Sequence, residues 1–369
     1  MCSFPAIGQN SSLYHFTQLN HLDLNYDSFL LGTTLRKFTN LQHLSLENND
    51  IIKADDLEYL RDSLTSLVLV DNTSIDPLIL PKLKLVSLNL DFNESVPYEI
   101  LMQCKTVKRL YISHERIPQC KYLTALTALE KLSITSGYSS DVMELNFAVI
   151  ASITSLTELV IINGAKVINI KNVSMLMSLK KLKIDRIGEM LIKPEDLELD
   201  SLTNLTDLAI RTDKMKGECF IHLTQLTTLR MNGKVFNSLN LKYLEKLKYL
   251  YLENLCDVQE INLIELSSLV FLQINCFFKR ILSGVNTNLQ HLYIDNGYCS
   301  LEVIDDRLIS KLIGLRYLTI RLKHMISIEC LLNLTNLVSV ELTYNKEFNQ
   351  EALELLIKQG VIFKYYDWE

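Results

Sequence analysis

Leu202-Thr203-Asn204-Leu205-Thr206-Asp207-Leu208-Ala209-Ile210 places apolar residues at its first, fourth, seventh and ninth positions. The closing Leu208-Ala209-Ile210 alternates with period two, the signature of a strand that buries one face and shows the other. Working outward from Leu205, the frame Leu-x-x-Leu-x-Leu recurs with starts at 19, 41, 64, 85, 107, 129, 156, 179, 205, 226, 247, 269, 289, 315 and 337, with Ile, Val or Met replacing Leu in places. That makes fifteen units in a chain of 369 residues. A further apolar residue usually stands three positions before each start, as at Phe38, Leu202 and Leu334.

The first and fifteenth starts lie fourteen intervals apart, a mean period of about 22.7 residues. A unit of that length cannot bury its own apolar face and is satisfied only by stacking on its neighbours. The expected fold is an α/β solenoid with one short parallel strand per unit. The dozen or so remaining residues return on the other side as extended or 3₁₀ segments. Three longer intervals, 129–156, 179–205 and 289–315, leave room for a helical turn, best at Asp305–Leu312, and Asp55–Leu60 reads as a short helix in the second unit.

The chain resembles the leucine-rich repeat family over roughly residues 16 to 366. The short period and segments such as Leu334-Thr335-Asn336-Leu337 look most like the ~22-residue type of internalins and of a leucine-rich phosphatase regulatory subunit. The resemblance implies a leucine-rich repeat horseshoe with a parallel concave sheet and an irregular, 3₁₀ or short-helix convex side. It also implies a ladder of inward-turned asparagines eight residues after each start, bonding the backbone of adjacent turns. Asn49, Asn72, Asn93 and Asn345 keep that residue. Asp213, Lys234, Leu255 and Phe277 are among those that depart from it, so the central turns must satisfy their backbone otherwise.

Residues 1–15 are expected to be an N-terminal cap, 16–345 the array of about fifteen units and 346–369 a C-terminal helix-strand cap, one domain overall. Asn349 can cap a helix from about 350 to 359, Gly360 can end it, and 361–365 reads as a last strand.

Composition narrows the function. Hydrophobic residues make up 48% and mean hydropathy is +0.13, yet no apolar run reaches the ~20 residues of a membrane span. Met1-Cys2-Ser3-Phe4-Pro5 shows no basic region followed by an apolar run, so neither a signal peptide nor membrane insertion is expected, and the location expected is cytoplasmic. With a net charge of −6 and no Lys/Arg run there is no footprint for nucleic acid. The eight cysteines fall singly, which fits buried thiols in a reducing compartment, with a disulfide framework as the less supported alternative. The six Asn-x-Ser/Thr sequons, Asn72-Thr73-Ser74 and Asn204-Leu205-Thr206 among them, read as by-products of an Asn- and Thr-rich repeat. No phosphate loop, nucleophile elbow, zinc-protease motif or metal-spaced Cys/His set occurs, so no catalytic residue, metal ligand or cofactor is expected and the chain is read as non-enzymatic.

The sheet residues free of core duty lie two, four and six positions after each start. In the first four units they read His21, Asp23, Asn25; His43, Ser45, Glu47; Ser66, Val68, Val70; and Ser87, Asn89, Asp91, a polar and mildly acidic surface. Units eight to ten carry a modest basic segment with Lys181, Lys183, Arg211 and Arg230. From unit eleven the first outward position is Tyr249, Phe271, His291 and Tyr317 in four successive strands, with Tyr251 and Tyr293 beside it and Arg230 and Arg321 flanking. At about 4.8 Å per strand this column spans roughly 14 Å, the size of an interface hot spot. These eight residues are the candidate partner-binding set; the competing reading is rings that stack only to stabilise the sheet. The expected function is a protein-interaction scaffold or regulatory subunit, monomeric in isolation. The alternatives are a secreted or surface recognition receptor and the substrate-recognition component of a ubiquitin ligase or phosphatase complex.

Overall fold

A computed structural model of the chain describes residues 18–27, 30–113, 121–135, 144–162, 166–185, 197–215, 220–236, 238–254, 257–258, 261–275, 282–295, 306–321, 326–343 and 349–366. The expected N-terminal cap, Asn345 and six of the eight cysteines lie outside them. The backbone divides into two compact units, residues 1–179 with 184–190, and residues 180–183 with 191–369.

In the first unit each repeat contributes one parallel strand: β1 His21–Asp23, β2 His43–Ser45, β3 Ser66–Val68, β4 Ser87–Leu90, β5 Arg109–Ser113 and β6 Lys131–Thr135. β7 Glu144–Asn146, β8 Glu158–Ile162 and β9 Lys166–Ile168 follow. Neighbouring repeats pair at equivalent positions, as in His21↔His43, His43↔Ser66, Ser66↔Ser87 and Ser87↔Arg109. β6 pairs directly with β8, while β7 and β9 form a separate two-stranded sheet away from that ladder.

The register is set by the buried leucines. Leu22, Leu44, Leu67, Leu88, Leu110, Leu132 and Leu159 all point inward and are buried, and a one-residue slip would expose the whole set. Backbone bonding repeats as regularly: the N–H groups of the first two residues after a start both donate to the carbonyl one position after the preceding start, as Thr65 and Ser66 do to Gln42. Where the first of these is Thr65, Thr157, Thr206 or Thr227, its hydroxyl donates to the same carbonyl.

The returns are one or two turns long. Besides 3₁₀ segments they include α1 Gly32–Leu35, α2 Ala54–Leu57, α3 Tyr98–Leu101 and α4 Phe147–Ile150. α2 falls where a short helix was expected, while α1 and α3, in units of 22 residues, go beyond the extended or 3₁₀ return expected there. Four residues close only one turn, which fits the space and still points Leu35, Leu57 and Leu101 inward.

The asparagine ladder holds where it is described. Asn49 donates to Leu24 O and Asp27 O, Asn72 to Leu46 O and Asn49 O, and Asn93 to Leu69 O and Asn72 O. Each Oδ1 accepts backbone N–H bonds two or three residues on. Immediately before the ladder position Tyr26, Asn48, Asp71 and Phe92 sit at positive φ. That left-handed turn costs an L-residue about 1–2 kcal/mol. It is held because each N–H is delivered to the next repeat, Tyr26 to Glu47 O at 2.8 Å and Asn48 to Val70 O at 3.1 Å.

In the second unit extended strand pairing spans the positions where the ladder residue changes. β10 Lys181–Asp185 is followed by β11 Asp207–Met215 and β12 Thr228–Phe236, nine residues each. These two run on past the ladder positions Asp213 and Lys234 and pair as far as Met215↔Phe236, so backbone replaces the side-chain amide. Further along, Asn286 occupies the position three before a start where Leu202, Leu223, Leu244, Leu266, Leu312 and Leu334 stand in other repeats. It is buried and donates to Leu266 O at 2.6 Å and Leu269 O at 3.3 Å.

The array continues through β13 Tyr249–Glu253, β14 Asp257–Val258, β15 Ile261–Asn262, β16 Phe271–Asn275, β17 Leu282–Ser283, β18 His291–Asp295, β19 Tyr317–Arg321, β20 Ser339–Thr343 and β21 Ile362–Tyr366. Helical turns appear at α5 Asp306–Ile309, within the segment expected for it, and at α6 Gln350–Lys358. Asn349 caps α6 by accepting from Glu351 N and Ala352 N, and Gly360 leaves it at φ 88°.

Candidate functional site

The second unit's open sheet face is built by pairing register. Tyr249↔Phe271, Phe271↔His291 and His291↔Tyr317 are direct neighbours, so four rings project from one row. Their centroids are 6.5, 5.6 and 4.5 Å apart in that order, and His291 lies nearly parallel to Tyr317 at 17°. In the next row Tyr251 leans onto Phe271 at 5.0 Å, and Gln273 separates it from Tyr293. The column expected from the sequence is thus one continuous ring file whose two ends are the most open, Tyr249 at 42% and Tyr317 at 39% exposure.

Both arginines join it. The Arg230 guanidinium lies 4.1 Å from the Tyr251 ring centre and that of Arg321 lies 5.5 Å from Tyr293. Arg321 is also held by Glu341, through Nη2 at 2.6 Å and Nε at 3.0 Å, and lies 3.7 Å from Asp295. Glu341 and Asp295 were absent from the sequence-derived set. The signal for them was present, since an acid four positions after one start and another six after a different start bracket Arg321 once the strands are aligned. The Tyr293 hydroxyl donates to Asp295 at 3.0 Å; burial and then that bond push its pKa up to about 12. Burial, then the Arg316 charge, lowers the pKa of His291 and favours a neutral ring in the file. The ring contacts contribute about 0.5–1.5 kcal/mol each, which favours the stacked arrangement.

The first unit's open face is chemically different. His21 stacks on His43 at 5.2 Å, the Tyr26 hydroxyl donates to Glu47 at 2.6 Å, and Lys131 pairs with Glu158 at 2.9 Å. Asp91 is half-buried with an oxygen that has no partner among the described residues, and burial raises its pKa to about 6. Among the described residues no group of three His, Cys, Asp or Glu side chains is placed to hold a metal ion, and no helix is long and apolar enough to cross a membrane.

No protein-family model and no curated protein matches the chain. Solved structures do. An internalin from Listeria monocytogenes aligns over 92% of this chain and 90% of its own, at 19% identity and a TM-score of 0.56. The Toll–Spätzle complex of Drosophila aligns over 89% of this chain and 51% of its own, at 17% and 0.55. A TLR13–ssRNA13 complex aligns over 96% and 62%, at 15% and 0.55. At these identities the likeness is one of fold, and with the ladders above it makes the chain a leucine-rich repeat solenoid.

Proposed function

We propose that the chain is a non-enzymatic, intracellular protein-binding scaffold or regulatory subunit, monomeric in isolation, that grips a partner protein on the face carrying Tyr249, Tyr251, Phe271, His291, Tyr293 and Tyr317, with Arg230 and Arg321 at its margins. The observation that carries this reading is the pre-stacked ring file. Large rings already stacked on their neighbours offer contact area at little entropic cost, and Tyr and Arg are the residues that dominate interface hot spots. A fold neighbour in complex with Spätzle, a protein ligand, supports a protein partner. A fold neighbour in complex with single-stranded RNA raises the other possibility, since rings with arginines can stack bases. Here Arg321 is engaged by Glu341 and Asp295 and the chain carries net charge −6, which disfavours a phosphate backbone.

The likeness to an internalin supports a second reading, a secreted or surface recognition receptor. The buried free thiols of Cys104 and Cys330 favour a reducing compartment instead.

Two variants test the proposal. Tyr249→Ala/Phe271→Ala/Tyr293→Ala removes the file, and Gln273→Arg places a bulky charge at its centre without removing a ring. Proteins captured by the wild type are expected to be lost by both variants and kept by Lys84→Ala on the other unit, with melting temperature followed alongside. Equal capture by Gln273→Arg and wild type would sink the reading even if the triple variant is unstable.

A further inference from the structure

On the first unit's face the row two positions after each start runs His43, Ser66, Ser87, Arg109 on four consecutive strands. Three strand steps of about 4.8 Å separate the outer two by roughly 14 Å at the backbone. The two serines between them are the shortest hydroxyl side chains, so the row dips where they stand and rises at the imidazole and the guanidinium. Neither serine hydroxyl has a side-chain partner among the described residues, and Arg109 is exposed and forms no ion pair among them. The neighbouring cation of that row, Lys131, is already turned to Glu158.

Electrostatics indicate where Arg109 acts. The pKa of His43 is lowered by burial first, then by the neighbouring His21, and then by Arg109 from across two strands. Asp91, one residue past the end of β4, has its pKa raised by burial. The other charged groups around His43 stand to its far side: Asp23 on β1, and Glu47 just beyond β2, which accepts from Tyr26. β3 brings no ionisable group to this face, only Ser66 and Val68.

We propose that this dip is an anion site that takes a phosphoryl group, seated over the Ser66 and Ser87 hydroxyls between the His43 imidazole and the Arg109 guanidinium. A guanidinium pairs bidentately with phosphoryl oxygens, and an imidazolium opposite supplies the second positive charge. The Arg109 fork supplies two donors, the imidazolium one and the two serine hydroxyls one each, five in all. A carboxylate offers about four acceptor sites confined to one plane, whereas a phosphoryl group offers more, spread tetrahedrally over three oxygens. The group can arrive on a phosphorylated side chain of a protein or as free phosphate. The site lies on a different unit from the ring file and stands or falls separately from it.

The test follows the His43 imidazole by NMR in the full chain, titrated in sodium phosphate and in sodium chloride of matched ionic strength. A bound dianion stabilises the imidazolium, so phosphate should raise the His43 midpoint by about one pH unit. Arg109→Gln, an exposed change that leaves the core untouched, should abolish the rise and weaken phosphate binding about tenfold or more. A His43 midpoint that phosphate does not move, or one that moves equally in Arg109→Gln, overturns the proposal. A phosphoserine peptide that binds well above inorganic phosphate while its unphosphorylated form does not bind supports the site with a protein-borne ligand; equal binding of peptide and inorganic phosphate supports it with the free anion.

Discussion

Replacing Asn72 with Ala removes four hydrogen bonds from a side chain that is 1% exposed. Its Nδ2 donates to Leu46 O at 2.8 Å and Asn49 O at 2.7 Å, and its Oδ1 accepts from Ser74 N at 3.0 Å and Ile75 N at 3.3 Å. At a net value of about 1 kcal/mol each the loss is about 4 kcal/mol, and the backbone groups left without partners inside the turn can only increase it. Against the 5–15 kcal/mol that usually separates folded from unfolded chains, that is a large fraction. With a urea slope of about 2 kcal/mol per molar the unfolding midpoint should fall by about 2 M. Repeat arrays can unfold in pieces, so amide hydrogen exchange at Ser74 and Ile75 should accompany the denaturation curve. Asn336→Ala is the matched control, since its Nδ2 makes a single exposed bond to Ile313 O at 2.9 Å, and it should cost less than about 1 kcal/mol. Asn72→Asp keeps the acceptors but turns a charge toward two carbonyls, and should be worse than Ala. If Asn72→Ala costs no more than Asn336→Ala, or if Asn72→Asp is neutral, the ladder does not hold these turns together.

Three further outcomes follow from single sites. A methyl group added at Gly32 would collide with the Asp56 carboxylate, which accepts from Arg36 Nε at 3.1 Å, Arg36 Nη2 at 2.9 Å and Lys53 N at 3.1 Å; Gly32→Ala should therefore cost about 1–3 kcal/mol in thermal unfolding, and a neutral result would show that Asp56 is free to move. Asp91 binds its proton more tightly folded, at about 6, than its ordinary 3.8, so its contribution is favourable below about pH 4 and is lost as pH rises through 6. Asp91→Asn should accordingly stabilise the chain by about 2–3 kcal/mol at pH 8 and not at pH 4, as read by urea midpoints at the two pH values. Burial pushes the thiol pKa of Cys104 up to about 11 and that of Cys330, with help from Asp306, up to about 12. Iodoacetamide at pH 8 should leave both unmodified in the native chain and label both in urea, as read by peptide mass; native labelling would contradict their burial.

The sequon Asn72-Thr73-Ser74 shows how far pattern reading goes. Repeat composition marks it as a by-product of the pattern, and the structure adds that the Asn72 amide is engaged by two carbonyls of the preceding repeat. The ring file was legible because a period of two within each strand and a fixed offset between repeats place Tyr249, Phe271, His291 and Tyr317 in one row before any coordinates exist. Repeat register alone puts Asp295 beside Arg321, whereas Glu341 stands opposite Thr319 and its bond to Arg321 was not legible. The two acids belong to different rows, and only side-chain direction brings Glu341 to the same guanidinium.

What the sequence determined by itself is direction and register: which residue of each unit faces inward and which residue of the next unit lies beside it. Both follow from leucines that must be buried and strands that alternate. How the irregular units close is settled by packing alone. β11 and β12 extend their pairing in place of an asparagine, and Asn286 takes over from a leucine. Those outcomes depend on side-chain reach and on local competition for backbone donors and acceptors between turns some twenty residues apart. A repeat pattern records that such turns are neighbours and leaves open which groups they share.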